Sequence, residues 1–371
     1  MNPIALIGAG YGAGHQQVAR AVKEGLCEVA PEVPVLTVDY LGFVSPAVRR
    51  ATVGGHRFLA KHWHAAYGSV YRMTDQWSAR QAFRDLETRP GRRQFWRWYA
   101  MIRPRLIVFT HPLPLLVATG PVRPDSLCPL AAVVTDYVVH ESWVSPHLAA
   151  YFVASQEAAA CLTAPVIRVT GIPLRKSFWT ADSGWELPVP DPQVSPTLLF
   201  VTSALAMMGG VIPAVRAILA VLPNHFRVLV VAGADHRLIA RLARLRSGDR
   251  RLIIAAFRTD IAHLMAASTI IVSKGGAVTL SEALAVARPL IIYRPLPGQE
   301  RGNAEYLAKH GAAAIADGPA QLKAWLTRLL RERDTRAAMI GAQQALRRPR
   351  AALDIARDCL ELANGPATAN G

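Results

Sequence analysis

The chain has 371 residues, 51% of them hydrophobic and 18% charged, with 42 Lys and Arg against 26 Asp and Glu. That length and apolar content supply two sizeable cores and exclude a disordered chain, and no stretch reaches the roughly 18 apolar residues of a membrane span. The formal charge of +16 asks for an anionic partner; no nucleic-acid-binding motif accompanies it, so nucleic acid is not expected.

Ahead of the first apolar run there is no basic segment, so Ile4 to Ile7 reads as a strand and not as a secretion signal. Gly8-Ala9-Gly10-Tyr11-Gly12-Ala13-Gly14-His15 follows and opens a helix at about Gln16. A glycine-rich turn after strand one lets the backbone approach a ligand, a device that dinucleotide-binding domains share. His15 carries an imidazole that titrates near neutrality, suited to take a proton from a hydroxyl or merely to bond its own turn. Val35 to Val38 is the second strand, closed by Asp39.

Residues 45 to 105 hold thirteen Lys or Arg but three acids, and four of the eight tryptophans: Trp63, Trp77, Trp96 and Trp98. In RRQFWRWYAMIRPR, from Arg92 to Arg105, helical spacing puts Phe95, Trp98, Tyr99 and Ile102 on one face and Arg93 and Arg97 on another. Arg93, Phe95, Trp96, Arg97 and Trp98 are therefore expected to meet an anionic membrane surface, aromatic rings anchoring below basic groups. The alternative is a core helix with a solvated arginine face. Without a span, contact with the membrane is expected to be peripheral, on the inner face of the cell membrane, by a cytoplasmic protein. The scattered Cys27, Cys128, Cys161 and Cys359 show no metal-ligand or CxxC spacing and read as reduced packing residues.

Further strands are expected at Leu106 to Thr110, Leu130 to Thr135, Tyr151 to Ala154 and Val166 to Val169. Thr110-His111-Pro112 ends one of them and Val134-Thr135-Asp136 the next, and carboxyl ends of parallel strands are where open α/β sheets bind ligands. Residues 172 to 196 carry five prolines and little periodicity, which marks a linker. A second series follows: Leu198 to Val201, Phe226 to Val231, Leu252 to Ala255, Ile270 to Val272, Leu290 to Tyr293 and Ala312 to Ile315. Alternation of strands and helices in both halves predicts two doubly wound, Rossmann-like α/β domains.

The richest segment is SKGGAVTLSEALAVARPLIIYRPLPGQERGNAEYLAKHGAA from Ser273 onward. Gly275-Gly276 turns the backbone after a strand, and a helix from about Ala277 to Ala287 points its N-terminus at the turn. Free amides and the positive end of the helix dipole make such an end a phosphate site. Glu282 lies further along this helix, where a carboxylate can accept from ribose hydroxyls. Pro297-Gly298-Gln299-Glu300 then leads to Asn303.

GGAVTLSEA at Gly275 to Ala283, paired with PGQERGN at Pro297 to Asn303, resembles the donor-sugar motif of GT-B glycosyltransferases: diacylglycerol glucosyltransferases, monogalactosyldiacylglycerol synthases and the lipid II forming N-acetylglucosaminyltransferase. The resemblance extends to Gly12-Ala13-Gly14-His15 with Ala19, to VTDYVVHESWVSP with His140 and Trp143, to YFVAS and to VTGIP. It implies a GT-B fold with an interdomain cleft, divided into an acceptor and membrane-binding domain at 1–173, a linker at 174–196, a nucleotide-sugar domain at 197–346, and at 347–371 a helix packing back on the first domain with a frayed tail.

By the same resemblance the activity is inverting transfer of a hexose from a UDP-sugar to diacylglycerol or a glycosylated glycerolipid, with His15 or Asp136 as base. Donor contacts are implied for Gly14, Phe257, Arg258, Gly275, Gly276, Thr279, Glu282, Pro297, Gly298, Gln299, Glu300 and Asn303, with Phe257-Arg258 bordering the uracil. Acceptor contacts are implied for Tyr11, Gly12, His111, Pro112, His140 and Trp143. No DxD triplet is present, so neither metal nor other cofactor is expected, the UDP-sugar being substrate. Two departures stand out: Val201 to Gly210 lacks the usual glycine-rich loop, and Ser273-Lys274-Gly275-Gly276 lacks the proline common before the glycine pair. Transfer to a polyprenyl-linked acceptor, UDP-sugar 2-epimerisation and non-catalytic binding of a sugar nucleotide are the rival readings.

Overall fold

A computed structural model describes residues 1–10, 13–62, 91–120, 127–182, 196–202 and 209–365. It holds two parallel sheets of six strands each, in two compact units, Met1–Trp179 with Arg348–Gly371 and Thr180–Arg347. Of the expected linker, residues 183–195 lie outside the described residues, as does the tail at 366–371.

The first sheet runs β1 (Ile4–Gly8), β2 (Val35–Asp39), β3 (Leu106–Phe109), β4 (Leu130–Val133), β5 (Ala150–Val153) and β6 (Val166–Val169), in the order β2-β1-β3-β4-β5-β6. Around it lie α1 (Ala13–Val29), α2 (Pro46–His62), α3 (Arg92–Ile102), α4 (Pro112–Ala118) and α5 (Gln156–Ala160). The second contains β7 (Thr197–Val201), β8 (Arg227–Val231), β9 (Leu252–Ala255), β10 (Ile270–Ser273), β11 (Leu290–Tyr293) and β12 (Ala314–Ala316), ordered β12-β11-β10-β7-β8-β9. Its helices are α6 (Val211–Val221), α7 (His236–Arg246), α8 (Ile261–Ala266), α9 (Ala277–Val286), α10 (Gln299–Lys309), α11 (Pro319–Arg331) and α12 (Arg333–Leu346). A last helix, α13 (Ala351–Asn364), belongs to the first unit.

All twelve expected strands are present, with ends shifted by two residues or fewer. They were legible because a strand covered on both faces is apolar along its whole length. Thus β1, β3, β4 and β5 are buried throughout, whereas the edge strands β2 and β6 are only half-buried. Each strand order reverses once, between β1 and β3 in the first sheet and between β7 and β10 in the second. At such a point the two neighbouring crossovers leave in opposite directions and open a crevice at the strands' carboxyl ends.

Three expectations are corrected. Helix α1 begins at Ala13 and not near Gln16, because glycines are tolerated in a first turn where no side chain must pack; His15 therefore sits inside that turn. Phe95 on α3 is not available to a bilayer: it is 0% exposed, within 6.2 Å of the ring of Tyr40 and 5.9 Å of that of Phe43. Trp96 and Trp98 are half-buried against the same core, while Arg93 and Arg97 are exposed. An apolar helical stripe has the same period whether protein or lipid covers it, and here the protein does. The four cysteines are free thiols, but Cys27 and Cys161 are exposed and do not pack; only Cys359 is fully buried.

Helix α13 packs on α1 at Gly25, where an added Cβ would lie 2.3 Å from the Ala352 carbonyl oxygen. Ala21, Trp179 and Ala352 form the apolar cluster beside this crossing. In an ordinary helix interior Gly→Ala stabilises by about 1 kcal/mol. Gly25→Ala is expected to do the reverse, lowering stability by about 1–3 kcal/mol in urea denaturation, since the two backbones must separate.

Candidate active site

In the first unit the turn after β1 is built by close approach. A Cβ on Gly8 would meet Thr110 Oγ1 at 2.9 Å, and one on Gly10 would meet Asp39 Oδ2 at 2.8 Å. Asp39 Oδ1 accepts from the amides of Gly10 and Leu41, both at 3.0 Å, and so joins the turns that follow β1 and β2. Thr110 Oγ1 donates to the His15 carbonyl at 3.2 Å, tying the first turn of α1 to the end of β3.

This scaffold sets the protonation of His15. Its Nδ1 is 2.7 Å from the Thr110 carbonyl oxygen, with Thr135 Oγ1 at 3.2 Å. A carbonyl can only accept, so the neutral imidazole carries its proton on Nδ1 and its lone pair on Nε2. His111 is locked the other way: its Nδ1 accepts from the Leu113 amide at 3.0 Å as the N-cap of α4, which leaves the proton on Nε2. The two rings meet edge to face, with centroids 4.5 Å apart and planes at 69°. Pro112 occupies the first turn of α4, and Asp136, buried, follows Thr135 at the end of β4. Gly14 is half-buried in the first turn of α1; Tyr11 and Gly12 lie outside the described residues.

The implied acceptor contact of Trp143 is corrected. Trp143 is 1% exposed and belongs to the core. Tyr151 holds it from below: its hydroxyl donates to the Trp143 carbonyl at 2.8 Å and accepts from the Ser145 amide at 2.8 Å. Burial pushes this phenol up to about 12, so it stays a donor. His140 is buried, and its Nδ1 accepts from the Ser142 amide at 3.1 Å to cap the 3-10 turn Glu141–Trp143. This aromatic segment belongs to the core of the first unit.

In the second unit the two halves of the sequence motif form one knot. Glycine is required at 275, because a Cβ there would lie 2.5 Å from the Glu300 carbonyl oxygen and 2.8 Å from its Cβ. Asn303, buried on α10, donates from Nδ2 to the Gly275 carbonyl at 3.4 Å. Lys274 Nζ meets Glu300 Oε1 at 2.5 Å, and Glu300 Oε2 accepts from the Leu296 amide at 3.2 Å. Gly276 is the N-cap of α9, whose first turn has no acidic residue and includes half-buried Thr279. Glu282 is 4% exposed within α9. Gly298, at φ 91°, turns the half-buried Pro297 loop into α10, which opens at Gln299.

Phe257 and Arg258 are not part of this knot. They follow β9, three strand spacings of about 4.8 Å from β10. Phe257 is 60% exposed, and Arg258 forms a two-point ion pair with Asp260, Nε to Oδ1 at 2.8 Å and Nη2 to Oδ2 at 2.5 Å. That guanidinium holds the Asp260 carboxyl below the usual carboxylate range. Among the described residues no group of three or more His, Cys, Asp or Glu is disposed to hold a metal ion. Sequence reasoning missed Thr110, Thr135 and Lys274. Thr135 was signalled only by its place beside Asp136, and Lys274 by standing before the glycine pair, while a carbonyl ligand such as that of Thr110 has no sequence signature.

Two doubly wound units, each with its chemical groups at the reversal of strand order, define the GT-B class, and solved structures agree. MurG of Acinetobacter baumannii superposes with a TM-score of 0.58 at 15% identity over 97% of this chain and 100% of that one. UDP-GlcNAc 2-epimerase from Neisseria meningitidis, bound to UDP-GlcNAc, gives 0.61 at 12% identity over 97% and 100%. The fold thus serves epimerases as well as transferases and does not choose between them. Sequence does: residues 15–174 match the monogalactosyldiacylglycerol (MGDG) synthase family and residues 210–355 the glycosyltransferase family 28 C-terminal domain. The processive diacylglycerol beta-glucosyltransferase of Staphylococcus epidermidis is 27% identical over 342 residues, 85% of this chain and 81% of that protein. Along its length the chain is thus similar to GT-B glycosyltransferases, its first half to the MGDG synthase model and its second to the family 28 C-terminal domain.

The two glycines of the knot differ in what they tolerate. Gly276 has φ −69° and a nearest neighbour at 3.4 Å, the flexible Lys274 Cε. Gly276→Ala is expected to leave thermal stability unchanged, whereas Gly275→Ala lowers it by about 1–3 kcal/mol; equal melting of the two variants would remove the steric argument.

Proposed function

We propose that the protein is an inverting, metal-independent transferase that moves a hexose from a UDP-sugar to the hydroxyl of diacylglycerol or a glycosylated glycerolipid. The observation that carries this reading is the locked tautomer of His15: with Nδ1 donating to the Thr110 carbonyl at 2.7 Å, Nε2 is the nitrogen that takes a proton. The acceptor oxygen attacks the anomeric carbon, the bond to the diphosphate breaks, and the hydroxyl proton goes to Nε2. Asp136, at the neighbouring strand end, is the alternative base.

The donor is read onto the second unit. Amides at the start of α9 face the charge that develops on the departing diphosphate, the role a divalent ion plays elsewhere. Glu282 takes the ribose hydroxyls, Gln299 and Glu300 those of the sugar, and Phe257 with Arg258 the uracil. The relative from S. epidermidis, named for diacylglycerol glucosylation, supports this substrate pair.

Membrane contact is read as peripheral, at the cytoplasmic face. No described helix is long and apolar enough to cross a membrane. The outward side of α3 presents Arg93 and Arg97, and Met101 on the same helix is 74% exposed. Basic groups with an apolar tip suit an anionic headgroup layer, each charge contributing on the order of 1 kcal/mol.

His15→Ala is expected to lower kcat with UDP-glucose and diacylglycerol by about 10²–10⁴-fold while UDP binding by calorimetry is unchanged; full turnover in that variant would end the base assignment. Arg93→Ala with Arg97→Ala should reduce sedimentation with phosphatidylglycerol vesicles and leave binding to phosphatidylcholine vesicles as it was. Equal binding of the unaltered protein to both vesicles counts against an electrostatic surface.

A further inference from the structure

Lys274 stands between the last residue of β10 and the glycine pair, where its ammonium has two neighbours of opposite consequence. Nζ lies 2.5 Å from Glu300 Oε1, and it lies 3.6 Å from the point where a Cβ on Gly276 would be, beside the amino end of α9. The positive end of a ten-residue helix with no acid in its first turn is an unfavourable place for a cation. The Glu300 carboxylate offsets that cost. Both side chains are largely withdrawn from water, at 23% and 15% exposed, so removing either leaves a charge with poor solvation.

Glu300 cannot adjust by moving its backbone, which is pressed against Gly275. Its second oxygen is held by the Leu296 amide. A carboxylate gripped at both oxygens by donors keeps its remaining lone pairs pointing in fixed directions. Such a group recognises hydroxyls and rejects groups that need a donor.

We infer that Lys274 is the positioning residue for sugar recognition: it acts through Glu300, holding that carboxylate oriented for the hydroxyls of the donor's hexose, so that its contribution reaches the sugar and not the nucleotide. This rests on the donor assignment proposed above.

The readout is the ratio of UDP to UDP-glucose dissociation constants, by calorimetry on the full chain. Lys274→Met is expected to weaken UDP-glucose by about tenfold or more and UDP by less than about threefold, with KM for the donor rising more than kcat falls. Lys274→Arg, which keeps the charge, should restore UDP-glucose to within about threefold. Glu300→Gln should reproduce the selective loss, and the double variant should be no worse than either single one, because the two side chains act as one unit. Glu300→Gln also keeps the test available if Lys274→Met unfolds. Equal weakening of UDP and UDP-glucose by Lys274→Met would overturn the inference, placing the ammonium on the diphosphate instead; so would additive losses in the double variant. If the unaltered protein binds UDP but no UDP-sugar, the donor assignment fails and the inference falls with it.

Discussion

A parallel sheet can be extended from its first strand in either direction, and where the direction changes the crossovers part and leave a notch at the strand ends. His15 and the glycine pair Gly275-Gly276 both stand at such notches. In the first unit the reversal lies between β1 and β3, and it brings His15, three residues into α1, against the Thr110 carbonyl at the end of β3. In the second it lies between β7 and β10, and the glycine pair after β10 opens α9 there. Strands within a sheet are rigid, so groups hung from their ends keep their separation without help from long flexible side chains.

What the notches hold is electrostatically prepared by ordinary backbone bonds. The neutral imidazole of His15 keeps its lone pair at Nε2 because Nδ1 donates to a carbonyl, and that of His111 keeps its proton at Nε2 because Nδ1 accepts from an amide. Two adjacent histidines thereby acquire opposite tautomers. The second unit uses charge instead: Lys274 and Glu300 neutralise each other beside the start of α9. The positive end of a helix disfavours a cation, and the Glu300 carboxylate offsets that for Lys274.

The aromatic segments show why composition is a poor guide to surfaces. RRQFWRWYAMIRPR and VVHESWVSP both carry the tryptophans that suggest contact with an oily ligand, yet Phe95 and Trp143 are core residues and His140 caps a turn. Burial of a large ring stabilises by the area withdrawn from water, and the unit's own interior offers that area at every moment. What remains outward on α3 is the arginine face and Met101.

Strand positions, the double alternation and the glycine turn that opens α9 could be read directly, because each is a local pattern: continuous apolar runs for strands covered on both faces, and glycines at fixed distance from a helix start. The place of Glu282 inside α9 and of Asn303 inside α10 follows from the same local periodicity. What the linear chain could not express is pairing across it. That Gly275 must be glycine on account of Glu300, that Gly25 must be glycine on account of Ala352, and that His15 takes its tautomer from a carbonyl at residue 110 are facts about surfaces meeting, decided when the strands stack and the helices close over them. A residue's own chemistry is written in its identity; its protonation, orientation and partner are set by neighbours that only folding brings within hydrogen-bond reach.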